Sequence, residues 1–203
     1  MPYIDLSVTL DDDTPVYPGD PPTQIEPAGT MEREGWTDHR LTTGNHTGTH
    51  IDAPLHMIAG GKTLGQIPLG RFIGRGRLID VRQGFTLQTV QSADIEPGDI
   101  VLFYTGMNAH YHEPVYFETY PVMSAEIAQY LIEHKVKLAG VDASSVDNTE
   151  DFPVHKQLLH GGVLVAENLA NLDQLVGKDF TVYALPIKLD IDAAPARIIA
   201  EIN

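Results

Sequence analysis

The chain of 203 residues contains no cysteine. That absence removes disulfides, thiolate metal ligands and a cysteine nucleophile together. Positive charge is also scarce: 13 Lys and Arg stand against 28 Asp and Glu, for a net charge of −15. So acidic a chain repels phosphate backbones and anionic headgroups, and neither nucleic acid nor a membrane is expected as partner. No apolar run approaches the roughly 18 residues that a spanning helix needs. The opening Met1-Pro-Tyr-Ile-Asp-Leu6 has neither the basic nor the apolar region of a secretory signal, so a cytoplasmic protein is expected. No repeat, low-complexity tract or linker divides the chain. Its length suits one domain over 1–203 with a sizeable core.

Histidine, by contrast, is concentrated. Three of the nine (His46, His50, His56) and one carboxylate (Asp52) fall within Asn45–Met57, all at even positions. In an extended chain, residues of one parity point to one face. A helix is disfavoured by Thr47, Gly48, Thr49 and Pro54. On a straight strand His46 and His50 would lie about 13 Å apart, too far to share one ion at about 2.1 Å. The chain therefore has to bend between them, and Gly48 permits it. Imidazole with carboxylate suits zinc, manganese or ferrous iron, and suits calcium or magnesium poorly. The competing reading is a polar surface strand. A closed structural zinc site is disfavoured because such sites lean on cysteine.

The rest of the chain reads as α and β mixed and rich in strands. Strands are expected over Tyr3–Leu10, Trp36–Thr43, Arg77–Val81, Ile100–Thr105, Leu138–Asp142, Phe180–Leu185 and Arg197–Ile202. Thr86–Asp94 and Ser124–His134 read as helices, the second capped by Ser124 with an apolar stripe at Ile127, Tyr130 and Leu131. His155–Gly162 reads as a short helix stopped by glycine. Val163–Leu169 is an apolar run carrying Glu167, an acid costly to bury unless it is paired or bound to a metal. Tyr17 sits in a Pro-rich loop, where ordinary packing is the simple reading. Gly106–Tyr120 is read as an aromatic-bearing loop, either at a pocket mouth or lying on the surface. Asp142 and Asp147 are expected to be structural, and Asp190 and Asp192 to be solvated charges.

His46-Thr-Gly-Thr-His50-Ile-Asp52-Ala-Pro-Leu-His56 resembles the His-x-Gly-Thr-His-x-Asp-x-Pro-x-His signature of the cyclase family of metal-dependent hydrolases. That family includes bacterial kynurenine formamidases and isatin hydrolases. Every fixed position of the signature matches. Pro15-Val-Tyr17-Pro-Gly-Asp20 and Gly140-Val-Asp142-Ala-Ser-Ser145-Val-Asp147 resemble two further family segments. The resemblance implies a swivelling β/β/α domain. It implies a second metal-binding segment with a His twelve residues before a Glu, the spacing of His155 and Glu167, in preference to His160. The implied ligands are His46, His50, Asp52, His155 and Glu167, holding two zinc ions per subunit or, as in isatin hydrolase, manganese. A metal-bound hydroxide is then the implied nucleophile. His56, beyond the stiff Pro54, takes the proton transfer, with a role as a further ligand left open. Tyr17 stands where the formamidases carry a substrate-contacting Trp. The implied substrate is a small aryl formamide such as N-formylkynurenine, which would set the protein in tryptophan catabolism as a homodimer or larger homo-oligomer. A cyclic amide or lactone hydrolase, and a non-catalytic metal-binding protein, are the alternatives.

Overall fold

Continuous apolar runs such as Ile100–Phe103 and Leu138–Val141 belong to strands covered on both faces, as parallel strands are. The computed structural model describes residues 2–149 and 151–203. Its strands are β1 (Tyr3–Asp5), β2 (Gln24–Gly29), β3 (Asp38–Thr42), β4 (His50–Asp52), β5 (Ile73–Asp80), β6 (Ile100–Tyr104), β7 (Leu138–Val141), β8 (Leu164–Glu167), β9 (Phe180–Pro186) and β10 (Ala193–Ile202). The helices are α1 (Leu87–Gln91), α2 (Val115–Glu118), α3 (Ala125–Glu133) and α4 (Pro153–His160). None of them is long and apolar enough to cross a membrane.

β5, β6, β7 and β8 run parallel, side by side. β4 extends this sheet antiparallel to β8, and β9 extends it antiparallel to β5. β10 pairs with both β4 and β9, which closes seven strands into a barrel. β1 adds to β10 beside β4. β2 and β3 form a separate hairpin.

Alternation along the strands divides the core in two. Ile51, Ile100, Leu102, Leu138, Leu164, Ala166, Phe180 and Ile198 fill the barrel interior. Val101, Phe103, Ala139, Val141 and Val165 face outward, under Ile127 and Leu131 of α3 and Leu158 and Leu159 of α4. The interior leaves no room beside Phe180 at Gly76, where an added Cβ would overlap the ring.

The mixed, strand-rich class agrees with expectation, and several boundaries differ. The first strand ends at Asp5 instead of Leu10, because the Val8 amide is taken by the Thr49 hydroxyl at 2.9 Å instead of a strand neighbour. β10 starts at Ala193, four residues before the expected Arg197, and those extra residues make the pairing with β4. Gly106–Tyr120 contains a 3-10 turn over Met107–His110 and the helix α2, so it is not a plain loop. α3 is as expected, with Ser124 Oγ accepting from the Ile127 amide.

Leu158 is fully buried on the face of α4 that meets the sheet. Leu158→Ala is expected to lower stability by roughly 2–5 kcal/mol, read as a lower denaturant midpoint at unchanged m-value.

Candidate metal centre

β4 is only three residues long, and its register decides what it presents. His50 lies opposite Glu167 and Asp52 opposite Val165, while Ile51 and its partner Ala166 point into the barrel. His50, Asp52 and Glu167 therefore share the outer face, at the C-terminal end of β8. Before β4 the chain turns at Gly48, whose φ of 65° is one that glycine adopts without strain. That turn returns His46 to His50, with ring centroids 5.1 Å apart. After β4 a 3-10 turn over Pro54–His56 folds His56 back, 4.1 Å from the His46 ring and 5.2 Å from that of His155. α4 crosses the same face and buries His155, whereas His160 is exposed at the helix end. The single parity expected of the motif holds along β4, and two turns gather the rest.

Asp52 is the centre of this cluster and is 0% exposed. Its Oδ1 lies 2.9 Å from His46 Nδ1 and 3.4 Å from His50 Nε2, and its Oδ2 lies 3.0 Å from His155 Nε2. Glu167 divides in the same way, with Oε2 at 3.5 Å from His50 Nε2 and Oε1 at 3.7 Å from His155 Nδ1. Both Asp52 oxygens, His50 Nε2, His155 Nε2 and Glu167 Oε1 are buried without a hydrogen-bond partner. Buried polar atoms are nearly always satisfied, so five orphans converging on one point call for a missing partner. Imidazoles and carboxylates are donors for a divalent transition-metal ion, and the set fits one. The ligand atoms of His50, Asp52 and Glu167 lie within 4.8 Å of one another, as do those of His46, Asp52 and His56.

The charges agree with the geometry. Burial raises the Asp52 carboxyl, but His50, His155 and His46 outweigh it and hold the acid well below its usual range. Burial pulls His46 down, but Asp52 and Asp192 lift it to about 9. His50 and His155 are likewise raised by the two carboxylates against burial. His56 differs: burial, helped by the neighbouring imidazoles, lowers it despite Asp52 and Asp192. It is the one ring of the four shifted downward.

Supporting contacts orient these groups. His50 Nδ1 donates to the Gly48 carbonyl at 2.9 Å, which makes Nε2 the nitrogen turned toward the carboxylates. Asn168 Nδ2 donates to the same carbonyl at 3.0 Å, and Tyr116 donates to Asn168 Oδ1 at 2.7 Å. Asp147 accepts from the Val154 and His155 amides at the start of α4, and Asp142 accepts from Thr105 and Gly106. Both acids are structural, as expected. Asp192 is not the solvated charge that its loop suggested. Its Oδ2 accepts from His46 Nε2 at 2.9 Å and lies 3.4 Å from His56 Nδ1. Only the pairing of β10 with β4 brings it there, and no local signal in the sequence marks it.

A cavity of about 240 Å³ opens over the cluster. Its floor is His46, His50, His56, His155 and Glu167, and Tyr17, Met57, Phe117 and Phe152 form apolar walls. Tyr17 meets Phe117 edge to face at 6.1 Å, so the Pro-rich loop and α2 together make the mouth.

The whole chain is similar to known proteins. The family model described as "Putative cyclase" matches residues 4–148. A kynurenine formamidase of Bacillus mycoides is 33% identical over 203 residues, 97% of this chain and 96% of the relative. The solved structure of a potential metal-dependent hydrolase with cyclase activity is 33% identical with a TM-score of 0.82, covering 98% of this chain and 96% of its own. Isatin hydrolase A from Labrenzia aggregata, solved with benzyl benzoate, is 25% identical with a TM-score of 0.88, covering 98% and 93%.

In the metal-free protein His46 carries a second proton up to about pH 9, held by Asp52 and Asp192. A metal taking its Nδ1 has to displace that proton. Apparent zinc affinity is therefore expected to rise with pH, by up to about tenfold per unit from this group, and to level off above pH 9. Chelator competition across that range measures it, and calorimetry in buffers of different ionisation enthalpy counts the protons released.

Proposed function

This chain belongs to the Cyclase family and is an amidohydrolase, and from that premise we propose that it hydrolyses a small aryl formamide, such as N-formylkynurenine, at a centre of two divalent ions. The observation that carries the two-ion reading is the divided aim of both carboxylates. Each turns one oxygen toward His50 and the other toward His155, and Asp52 adds His46 on the His50 side. His46, His50, Asp52, His155 and Glu167 would together hold the two ions. Zinc suits these donors best, and manganese is the other candidate. Bound there, such ions act as Lewis acids that acidify water and polarise a carbonyl.

The residues of the chain do the rest. Asp52 and Glu167 bring two negative charges to the centre, and its burial excludes competing water. Tyr17, Phe117 and Phe152 hold the aryl ring of the substrate and direct its carbonyl at the floor. His56 carries the proton: its neutral ring accepts one from the attacking water at Nε2 and returns it to the departing nitrogen. The C–O bond forms, the C–N bond breaks, and formate and a free aryl amine leave.

A cyclic amide or lactone is the second reading. It is supported by Tyr17, smaller than the Trp of the formamidases, and by the isatin hydrolase that aligns over 98% of the chain.

Zinc-loaded protein is expected to hydrolyse N-formylkynurenine with kcat/KM of about 10⁴ M⁻¹s⁻¹ or more, followed by absorbance. No turnover from protein shown to hold zinc or manganese would remove the formamide and leave cyclic amides and lactones as the substrates to try. His56→Ala is expected to keep its metal and lose on the order of 10²–10⁴ in kcat. Loss of metal in that variant, measured by elemental analysis, would instead make His56 a ligand.

A further inference from the structure

We propose that Asp192 is a positioning residue which, through one carboxylate oxygen, sets both the ligand His46 and the proton carrier His56. This rests on the hydrolase reading above for the role of His56, and on geometry alone for the placement.

Three observations carry it. First, the backbone of Asp192 is fixed to the strand that bears the cluster. Its carbonyl accepts from the Ala53 amide at 2.8 Å, the neighbouring Ile191 carbonyl accepts from the Leu64 amide at 2.8 Å, and Ala193 pairs with Asp52. Second, its oxygens are already assigned. Oδ1 accepts from Asn45 Nδ2 at 2.9 Å, while Oδ2 faces His46 Nε2 at 2.9 Å and His56 Nδ1 at 3.4 Å. Third, the two rings that share Oδ2 lie against each other, 4.1 Å between centroids.

A carboxylate only accepts, so each nitrogen facing Oδ2 has to carry a proton. In His46 this fixes one proton on Nε2, so that Nδ1, 2.9 Å from Asp52 Oδ1, is the nitrogen left to give up its proton to a metal. In His56 it protonates Nδ1 and leaves Nε2 as the lone pair facing the cavity. One oxygen therefore prepares the first ring to coordinate and the second to accept a proton. When His56 takes the proton of the attacking water it becomes an imidazolium beside Asp192, and that charge is returned with the proton to the leaving nitrogen. The arrangement follows the same logic as a carboxylate behind a catalytic histidine, with a metal ligand on the same oxygen.

The test combines a variant series with a measurement that needs no variant. In zinc-loaded wild-type protein, ¹⁵N NMR of the imidazoles is expected to find His56 protonated at Nδ1 and His46 at Nε2. The opposite tautomers would overturn the proposal whether or not any substrate is turned over. Asp192→Asn keeps the shape and removes the charge. It is expected to weaken zinc binding by about 10–100-fold in chelator competition. At saturating zinc it is expected to lower kcat by about 10–100-fold with a smaller change in KM. Introduced into His56→Ala, the same change is expected to lower kcat less than about twofold further, because the group it acts through is gone. Zinc affinity equal to wild type, or kcat losses that multiply in the double variant, would overturn the role assigned to Asp192. Absence of formamidase activity in wild type would overturn the substrate instead, leaving tautomers and zinc affinity to be read.

Discussion

The constraint on which the rest depends is a fully buried carboxylate with no hydrogen bond to either oxygen. Asp52 sits at 0% exposure and meets three imidazoles. Burying an unpaired carboxylate costs several kcal/mol or more, and an ion pair recovers that cost only with good geometry and further hydrogen bonds. Here both Asp52 oxygens lack such further bonds. Such a cluster is stable as a binding site and poor as a network of its own. Without metal the protonated histidines compensate, His46 up to about pH 9, and a bound cation would take their place.

The barrel makes so unfavourable a cluster tolerable. β4 and β8 place His50, Asp52 and Glu167 within three rungs of one ladder. Their alternate residues Ile51 and Ala166 are locked into the closed interior, so a slip of register would drive these polar side chains into the hydrocarbon core. The other contributions are made where the parallel strands end. Asp142 follows β7 and ties down Thr105 and Gly106 after β6, while Asp147 holds the start of α4 and thereby the azimuth of His155. Sites at the carboxyl ends of parallel strands recur because loops converge there. Here β4, arriving antiparallel, adds an imidazole and a carboxylate that such an end does not ordinarily receive.

How much of this was legible in the sequence depended on distance along the chain. The parity of His50 and Asp52 and the bend at Gly48 are local, and both hold. Glu167 betrayed itself as an acid in a buried strand. The cap at Ser124 and the stripe of α3 were likewise local matters of spacing. Asp192 was not legible: nothing near it is unusual, and it joins His46 across 146 positions through a strand pairing that composition does not encode. The same is true of the early start of β10. Its first residues contain Pro195, which argues against a strand until β4 is seen to lie alongside. The walls of the cavity fall between these cases. Tyr17 could be suspected from its stiff neighbours, but its contact with Phe117 of α2 needed the fold.

The shape of the cavity then constrains the order in which a ligand meets the site. The four imidazoles and Glu167 lie at the floor, and Tyr17, Phe117 and Phe152 line the walls and mouth. An amphipathic molecule entering such a space lowers its free energy only in one direction, polar end down, because the reverse would strip the floor of water and leave its charges unpaired. At about 240 Å³ the cavity takes a ring and a short polar group at a time. Orientation is thus imposed by desolvation before any specific hydrogen bond forms. His56 stands at the edge of the floor, its Nδ1 toward Asp192 and its ring against both His46 and His155. It is the one imidazole of the cluster that is lowered on balance, burial and its neighbouring rings outweighing the carboxylates. A group proposed to move a proton gains from standing apart from the charge that the others share.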